Sequence, residues 1–377
     1  MARSQTQGPK GPPERRPLRS LLLRKRMLLL GLLPVALLLF SCSACSPIYL
    51  ARAGWAEMKI LSARRPLDDV ILDPSTGDDT RGKLLLVREA RIFAIEALEL
   101  DAGDSYTTFT RLEKDTLAMV LSAAYQDRLA PKTWWYPVVG RVPYRGFFDF
   151  GAAEKARGEL ESDGFDTYLR PTSAFSTLGW FSDPLLSTLL RYDVVELVET
   201  VIHELSHNHL FVSGQVRFNE SYATFVGRVG AIQFFCTREG GGPDTQWCLR
   251  AQARWEDYQR FSSFLDPLVD ELEALFGRED LSREAKVRQR ESVFRDAQTR
   301  FRAEVQPELR SARFQSFLET PLNNATLLAR MRYYHRLSDF QSLLDDHGGD
   351  LQAAVTVLKE GVGQVQDPFQ LLPDRGR

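Results

Sequence analysis

The segment that most constrains this chain is residues 194–212, VVELVETVIHELSHNHLFV. Val194, Val195, Val198, Val201, Ile202 and Leu205 repeat with the period of a helix, and Asp193 stands where an N-cap belongs. On this apolar helix sit His203, Glu204 and His207, the HExxH pattern. Residues four apart share one helical face about 6 Å apart, so both imidazoles can reach a single ion while Glu204 lies beside them as a general base. With only five histidines in the chain, the pattern arises by chance in roughly 0.4% of such sequences. Two imidazoles side by side in an apolar core would leave polar nitrogens unsatisfied. A single metal ion, zinc by its preference for such nitrogens, is therefore the expected occupant. His209 falls about 200° around the helix from His207 and cannot share that ion; a surface or supporting position is expected for it.

Composition limits the partners. Forty-eight basic residues stand against fifty acidic ones, a net charge of −2, and the first 26 residues alone carry +7, leaving −9 for the remainder. No field remains to attract nucleic acid. The basic stretch is followed by fifteen uncharged residues, MLLLGLLPVALLLFS at 27–41, too few to span a bilayer, and then by small residues. That is the order of an export signal. The string LFSCSAC at 39–45 resembles a bacterial lipobox, with Cys42 and Cys45 both candidates for the lipidated residue. The resemblance implies a lipid anchor at the periplasmic face of the outer membrane. Export would place Cys236 and Cys248 in an oxidising compartment, where the Gly-rich loop at 240–243 lets them meet in a disulfide; two buried thiols are the alternative.

The mature chain is expected to be α+β and mainly helical. Residues 47–100 and 105–125 read as helix, and residues 133–182 as a small strand-rich region carrying one helix, AAEKARGELESDG. From Asp193 onward the pattern is helical again, with long charged stretches over 250–318. The expected division is a signal and lipobox over 1–45, a helical segment over 46–130, a core over 131–240 that carries the motif, and a helical region over 241–377.

A third ligand should come from a second helix. The string Asn219-Glu220-Ser221-Tyr222-Ala223 resembles the NExxA of the gluzincin peptidases, and this implies Glu220 as the third zinc ligand, on a helix packed closely against the first. More broadly, STLGWFSDPLLSTLLRY at 176–192, HELSHNHLF, FNESYATFV, PKTWWYPVVGRVPYRGFF at 131–148 and LNNATLLARMRYY at 322–334 resemble a bacterial family of predicted aminopeptidases, generally lipoproteins. The likeness runs from Cys45 to about Tyr334, and it favours Cys45 over Cys42. It implies a zincin-like core with a small β-sheet before the HExxH helix, and a zinc-dependent peptidase acting on peptides. Glu204 would take a proton from the metal-activated water.

The oxyanion of such a reaction calls for a further donor. Tyr333 is selected from Tyr333, Tyr334, Tyr144, Arg145 and His335 because it follows the family-like NNA string. The GxMEN motif with which gluzincin aminopeptidases hold a substrate amine is absent; residues 176–181 instead offer a strand edge for substrate backbone, or an ordinary core strand. An endopeptidase or cell-wall amidase with the same site, and a lipoprotein scaffold with a non-catalytic metal, are the alternatives.

Overall fold

The computed structural model describes residues 47–373 apart from 115, 137–139 and 173–181; Cys42, Cys45 and residues 176–181 lie outside the described residues. The chain divides after Arg52, and residues from Ala53 onward form one body. Elements run in the order α1 (Pro47–Ser62), β1 (Arg65–Pro66), α2 (Leu67–Leu72), α3 (Asp78–Glu96), β2 (Thr108–Thr110), β3 (Ala118–Tyr125), β4 (Trp134–Tyr136), β5 (Gly140–Val142) and β6 (Tyr144–Phe147). Then follow α4 (Phe150–Ser162), β7 (Phe165–Thr172), β8 (Leu185–Leu186), α5 (Val194–His209), α6 (Val216–Thr237), α7 (Gln246–Gly277), α8 (Arg283–Arg300), α9 (Gln315–Glu319), α10 (Asn324–Met331), α11 (Leu337–Asp346) and α12 (Leu351–Gly361). The body is mainly helical with small sheets. Among the described residues no helix is long and apolar enough to cross a membrane.

Residues 105–125 correct the helical expectation. They supply β2, which lies between antiparallel β1 and parallel β8, and β3, the centre of an antiparallel sheet in the order β6-β3-β7. The misreading has a physical cause. β3 is flanked on both edges and packed by α4 and α10, so Leu121, Ala123 and Ala124 are all buried and the polar alternation of a one-sided strand is missing. Small residues that favour helices are tolerated there because packing outweighs propensity.

The centre of the body is a helix pair. Asp193 caps α5 as its sequence position requires, its carboxylate accepting from Val195 N at 3.0 Å and Glu196 N at 3.1 Å. Val195, Val198, Val201, Ile202 and Leu205 are fully buried, which at about 1.5–3 kcal/mol each makes this face a main source of core stability. The chain turns at Gly214, in the left-handed region with φ 77°, and α6 runs back along α5.

Gly227 sets how close the two helices come. A Cβ there would lie 2.6 Å from the Glu199 carbonyl oxygen and 2.9 Å from His203 Cβ. Behind the pair, the fully buried Glu199 carboxylate is held by Arg254, at 3.0 and 3.1 Å, and by Arg228. The two guanidiniums compensate a charge that would otherwise be costly to bury.

α10 is positioned by a second polar clamp. Asn323 and Thr326 form a reciprocal capping box. The Arg290 guanidinium donates twice to Asp166 on β7, at 2.6 and 2.8 Å, and Asn324 N donates to the same carboxylate at 2.9 Å. The asparagines of the LNNATLL string thus fix where the chain after α10, Arg332 and Tyr333, enters the centre of the molecule.

Candidate metal centre

His203 and His207 point from α5 toward the first turns of α6, where Glu220 meets them. Glu220 Oε2 lies 3.5 Å from His203 Nε2 and 3.9 Å from His207 Nε2, and the three ligand atoms are all within 4.8 Å of one another. Tetrahedral bonds of about 2.0–2.1 Å place neighbouring ligand atoms about 3.3 Å apart, so the Glu220 oxygen already stands near that spacing from His203 and somewhat beyond it from His207, and the donor set can draw in around a small divalent ion. Two imidazoles and one carboxylate on a helix pair also leave a fourth position open. The three residues therefore fit a zinc ion.

The electrostatics are those of a buried, competing group of charges. Burial would raise the Glu220 carboxyl, but the hydrogen bond from His203 and the charges of His207, His203 and Arg332 outweigh it and hold it at about 2. His203 is raised: burial opposes its charge, while the Glu220 hydrogen bond, the Glu204 and Glu220 carboxylates and the Ala223 backbone favour it more. Burial pushes His207 down to about 4, which keeps it a neutral lone-pair donor at ordinary pH. Its Nδ1 has no hydrogen-bond partner among the described residues.

Glu204 is pushed up to about 7 by burial, with Glu220 and Asp183 acting in the same direction against His203. It stands beside the three clustered residues without joining them. Tyr106, at the left-handed φ of 62°, is buried near Glu204 and Asp183, and its phenol is pushed well up by that burial and by both carboxylates.

The other expected residues fall into two groups. Tyr333 comes to the centre: its ring lies 6.3 Å from that of His203, and its hydroxyl accepts from Arg170 at 3.2 Å. Tyr144 is half-buried, within the influence of Glu220, Tyr333 and Arg332. Tyr334 stacks on Tyr258 at 5.2 Å, His335 lies edge-on to Phe369 at 4.8 Å, and the Arg145 guanidinium covers the Phe147 ring. His209 is turned away, its Nδ1 accepting from Asp101 N at 3.0 Å. Cys236 and Cys248 are joined in a disulfide between α6 and α7.

Two arginines escaped the sequence reading. Arg170, on β7, acts on Tyr333 and Glu220. The Arg332 guanidinium donates to Ser122 Oγ at 2.7 Å, lies over the Tyr144 ring and helps hold Glu220 ionised. For Arg170 a signal existed: period-two alternation puts Asp166, Tyr168 and Arg170 on one face of β7. Arg332 follows a helix end and carries no such signal.

A pair of histidines and a glutamate brought together on two packed helices, with a second glutamate beside them, on a mainly helical α+β frame, defines a candidate metal centre. The family follows from comparison: a family model described as "Putative aminopeptidase" matches residues 48–364, and the chain belongs to that family. No curated protein and no solved structure matches the chain significantly.

Proposed function

We propose that this chain is a zinc-dependent peptidase that removes residues from the N-termini of peptides, exported and held by a lipid on Cys45, with Cys42 the alternative, at the periplasmic face of the outer membrane. The observation that carries the reading is the approach of Glu220 to both imidazoles, 3.5 and 3.9 Å, beside a glutamate with a carboxyl at about 7. Membership of the family supports the peptidase class.

His203, His207 and Glu220 would hold the ion. Bound there, zinc supplies Lewis-acid polarisation of a peptide carbonyl and acidifies a water molecule. The chain supplies the rest. Glu204 accepts the proton that water loses on attacking the carbonyl carbon, and returns it to the nitrogen of the amine that leaves as the C–N bond breaks. A carboxyl near 7 can both accept and return a proton at neutral pH. Tyr333 stands close enough to His203 to face the reacting carbonyl. Its oxygen accepts from Arg170, so its own proton is available to donate to the developing oxyanion.

The test uses the metal-loaded protein with one peptide presented as a free amine and as its N-acetyl form. Cleavage of the free amine alone, abolished by Glu204→Gln, is expected. Equal cleavage of both forms assigns an endopeptidase or amidase, and a metal-loaded protein that cleaves neither leaves the scaffold reading.

A further inference from the structure

Beside the helix pair lies a cavity of about 440 Å³, within the range of roughly 300–1,000 Å³ that takes small ligands. It is lined by three guanidinium-bearing residues from separate parts of the chain, Arg141 on β5, Arg217 in the first turn of α6, and Arg332 after α10. One carboxylate, Asp367, shares the lining, and it is engaged in capping the Phe369 backbone N–H at 3.1 Å. The Arg217 guanidinium makes no hydrogen bond and no close ion pair among the described residues, although the charges of Asp367 and Glu273 act on it. Among the described residues the Arg141 guanidinium donates to the Thr133 hydroxyl, at 3.3 Å. Arg332 donates to Ser122 Oγ and also has no ion pair among the described residues. Arg332 is buried without a carboxylate partner among the described residues, which is costly for an arginine, while Arg141 and Arg217 are exposed where they line the same cavity; together the three leave it a net excess of two positive charges over Asp367.

The cavity adjoins the centre through two of these residues. Arg217 begins the helix that carries Glu220 one turn later, and Arg332, buried with 5% of its surface exposed, also acts on Glu220. A group bound against Arg332 therefore meets a side chain whose charge reaches Glu220.

We infer that this cavity binds a carboxylate of the peptide substrate, so that the enzyme selects short peptides bearing a free carboxylate on the C-terminal side of the cleaved bond. The planar arginine fork matches a carboxylate in a bidentate manner. The chemistry is shared by a C-terminal α-carboxylate and by an acidic side chain. The inference rests on the peptidase reading for the identity of the ligand, though not for the cavity or its charge.

Binding and turnover separate the two claims. Calorimetric titration of the zinc-loaded Glu204→Gln protein with tri-alanine, with its C-terminal amide, and with Ala-Ala-Glu amide reads the carboxylate alone. Tri-alanine should bind at least about tenfold more tightly than its amide, and Arg217→Gln and Arg141→Gln should each reduce that ratio, with the thermal midpoint of each variant checking the fold. Recovery of affinity with Ala-Ala-Glu amide assigns the acidic side chain; no recovery assigns the terminal carboxylate. Equal binding of acid and amide, no binding of either, or a ratio unchanged in both arginine variants overturns the inference. The native enzyme's turnover of the same peptides then stands apart: acid preference without turnover sinks the peptidase reading and leaves the carboxylate site, whereas equal binding with turnover does the reverse.

Discussion

Replacing Gly227 by alanine tests whether the close contact of α5 and α6 builds the centre. In an unconstrained helix interior the change would stabilise by about 1 kcal/mol, because glycine is the poorer helix former. Here the new Cβ meets the Glu199 carbonyl oxygen at 2.6 Å, His203 Cβ at 2.9 Å and His203 Cα at 3.2 Å. Two of these are backbone atoms, which cannot swing away, so the helices must part by several tenths of an ångström. Overpacking of this kind costs about 1–3 kcal/mol; the contact at 2.6 Å argues for the upper half, leaving a net loss of roughly 1–2 kcal/mol after the helix gain. For a body of roughly 325 residues that is a fall of about 2–3 °C in melting temperature. The displacement occurs at His203 itself, so zinc affinity should fall by about tenfold or more. Gly158 on α4 is the control: nothing lies within 4 Å of its added Cβ, and Gly158→Ala should stabilise by about 0.5–1 kcal/mol with zinc affinity unchanged. Thermal unfolding of the metal-free proteins and zinc titration of each provide the readouts. A Gly227→Ala protein as stable as Gly158→Ala, or one that binds zinc like the parent, would refute the reasoning.

Two further outcomes follow from the same geometry. His203 is raised above its ordinary 6.5 by Glu220 and Glu204 against burial, and a protonated imidazole has no lone pair to offer. Zinc affinity of the metal-free protein should therefore decline as pH falls, beginning above pH 6.5, by up to about tenfold per pH unit with one proton released per zinc bound. Titrations in buffers of different ionisation enthalpy measure both quantities, and an affinity constant between about pH 8 and 6 would contradict the assignment. The Cys236–Cys248 bond closes a separation of 12 residues, for which loop-closure entropy gives about 3 kcal/mol. The double Cys→Ser variant should lose roughly that much in urea unfolding, and no difference from the oxidised parent would show that the bond adds nothing to stability.

What could be read in the sequence was whatever depends on short separations. Asp193 as a cap, the buried stripe of α5 and the pairing of two histidines across one helical turn are local consequences of period and residue type. Glu220 lies 13 residues beyond His207, across one turn, so a motif resemblance sufficed to place it. Arg170, Arg332 and Tyr144 are brought to Glu220 from strands and a helix end 50 or more residues away on either side, and no pattern within one window encodes such convergence. Tyr333 was reached only through a family-like string, whose own asparagines prove to be the clamp on α10. β3 was misread because a strand covered on both faces loses the alternation that distinguishes it from a helix.

The most direct test of the central claim is elemental analysis of zinc in the purified protein, compared with its Glu220→Ala, His207→Ala and Glu204→Gln variants. The account predicts about one zinc per chain in the parent and in Glu204→Gln, and a metal content near zero once Glu220 or His207 is removed. A parent protein that takes up no zinc, or a Glu220→Ala protein that keeps it as tightly as the parent, would contradict it.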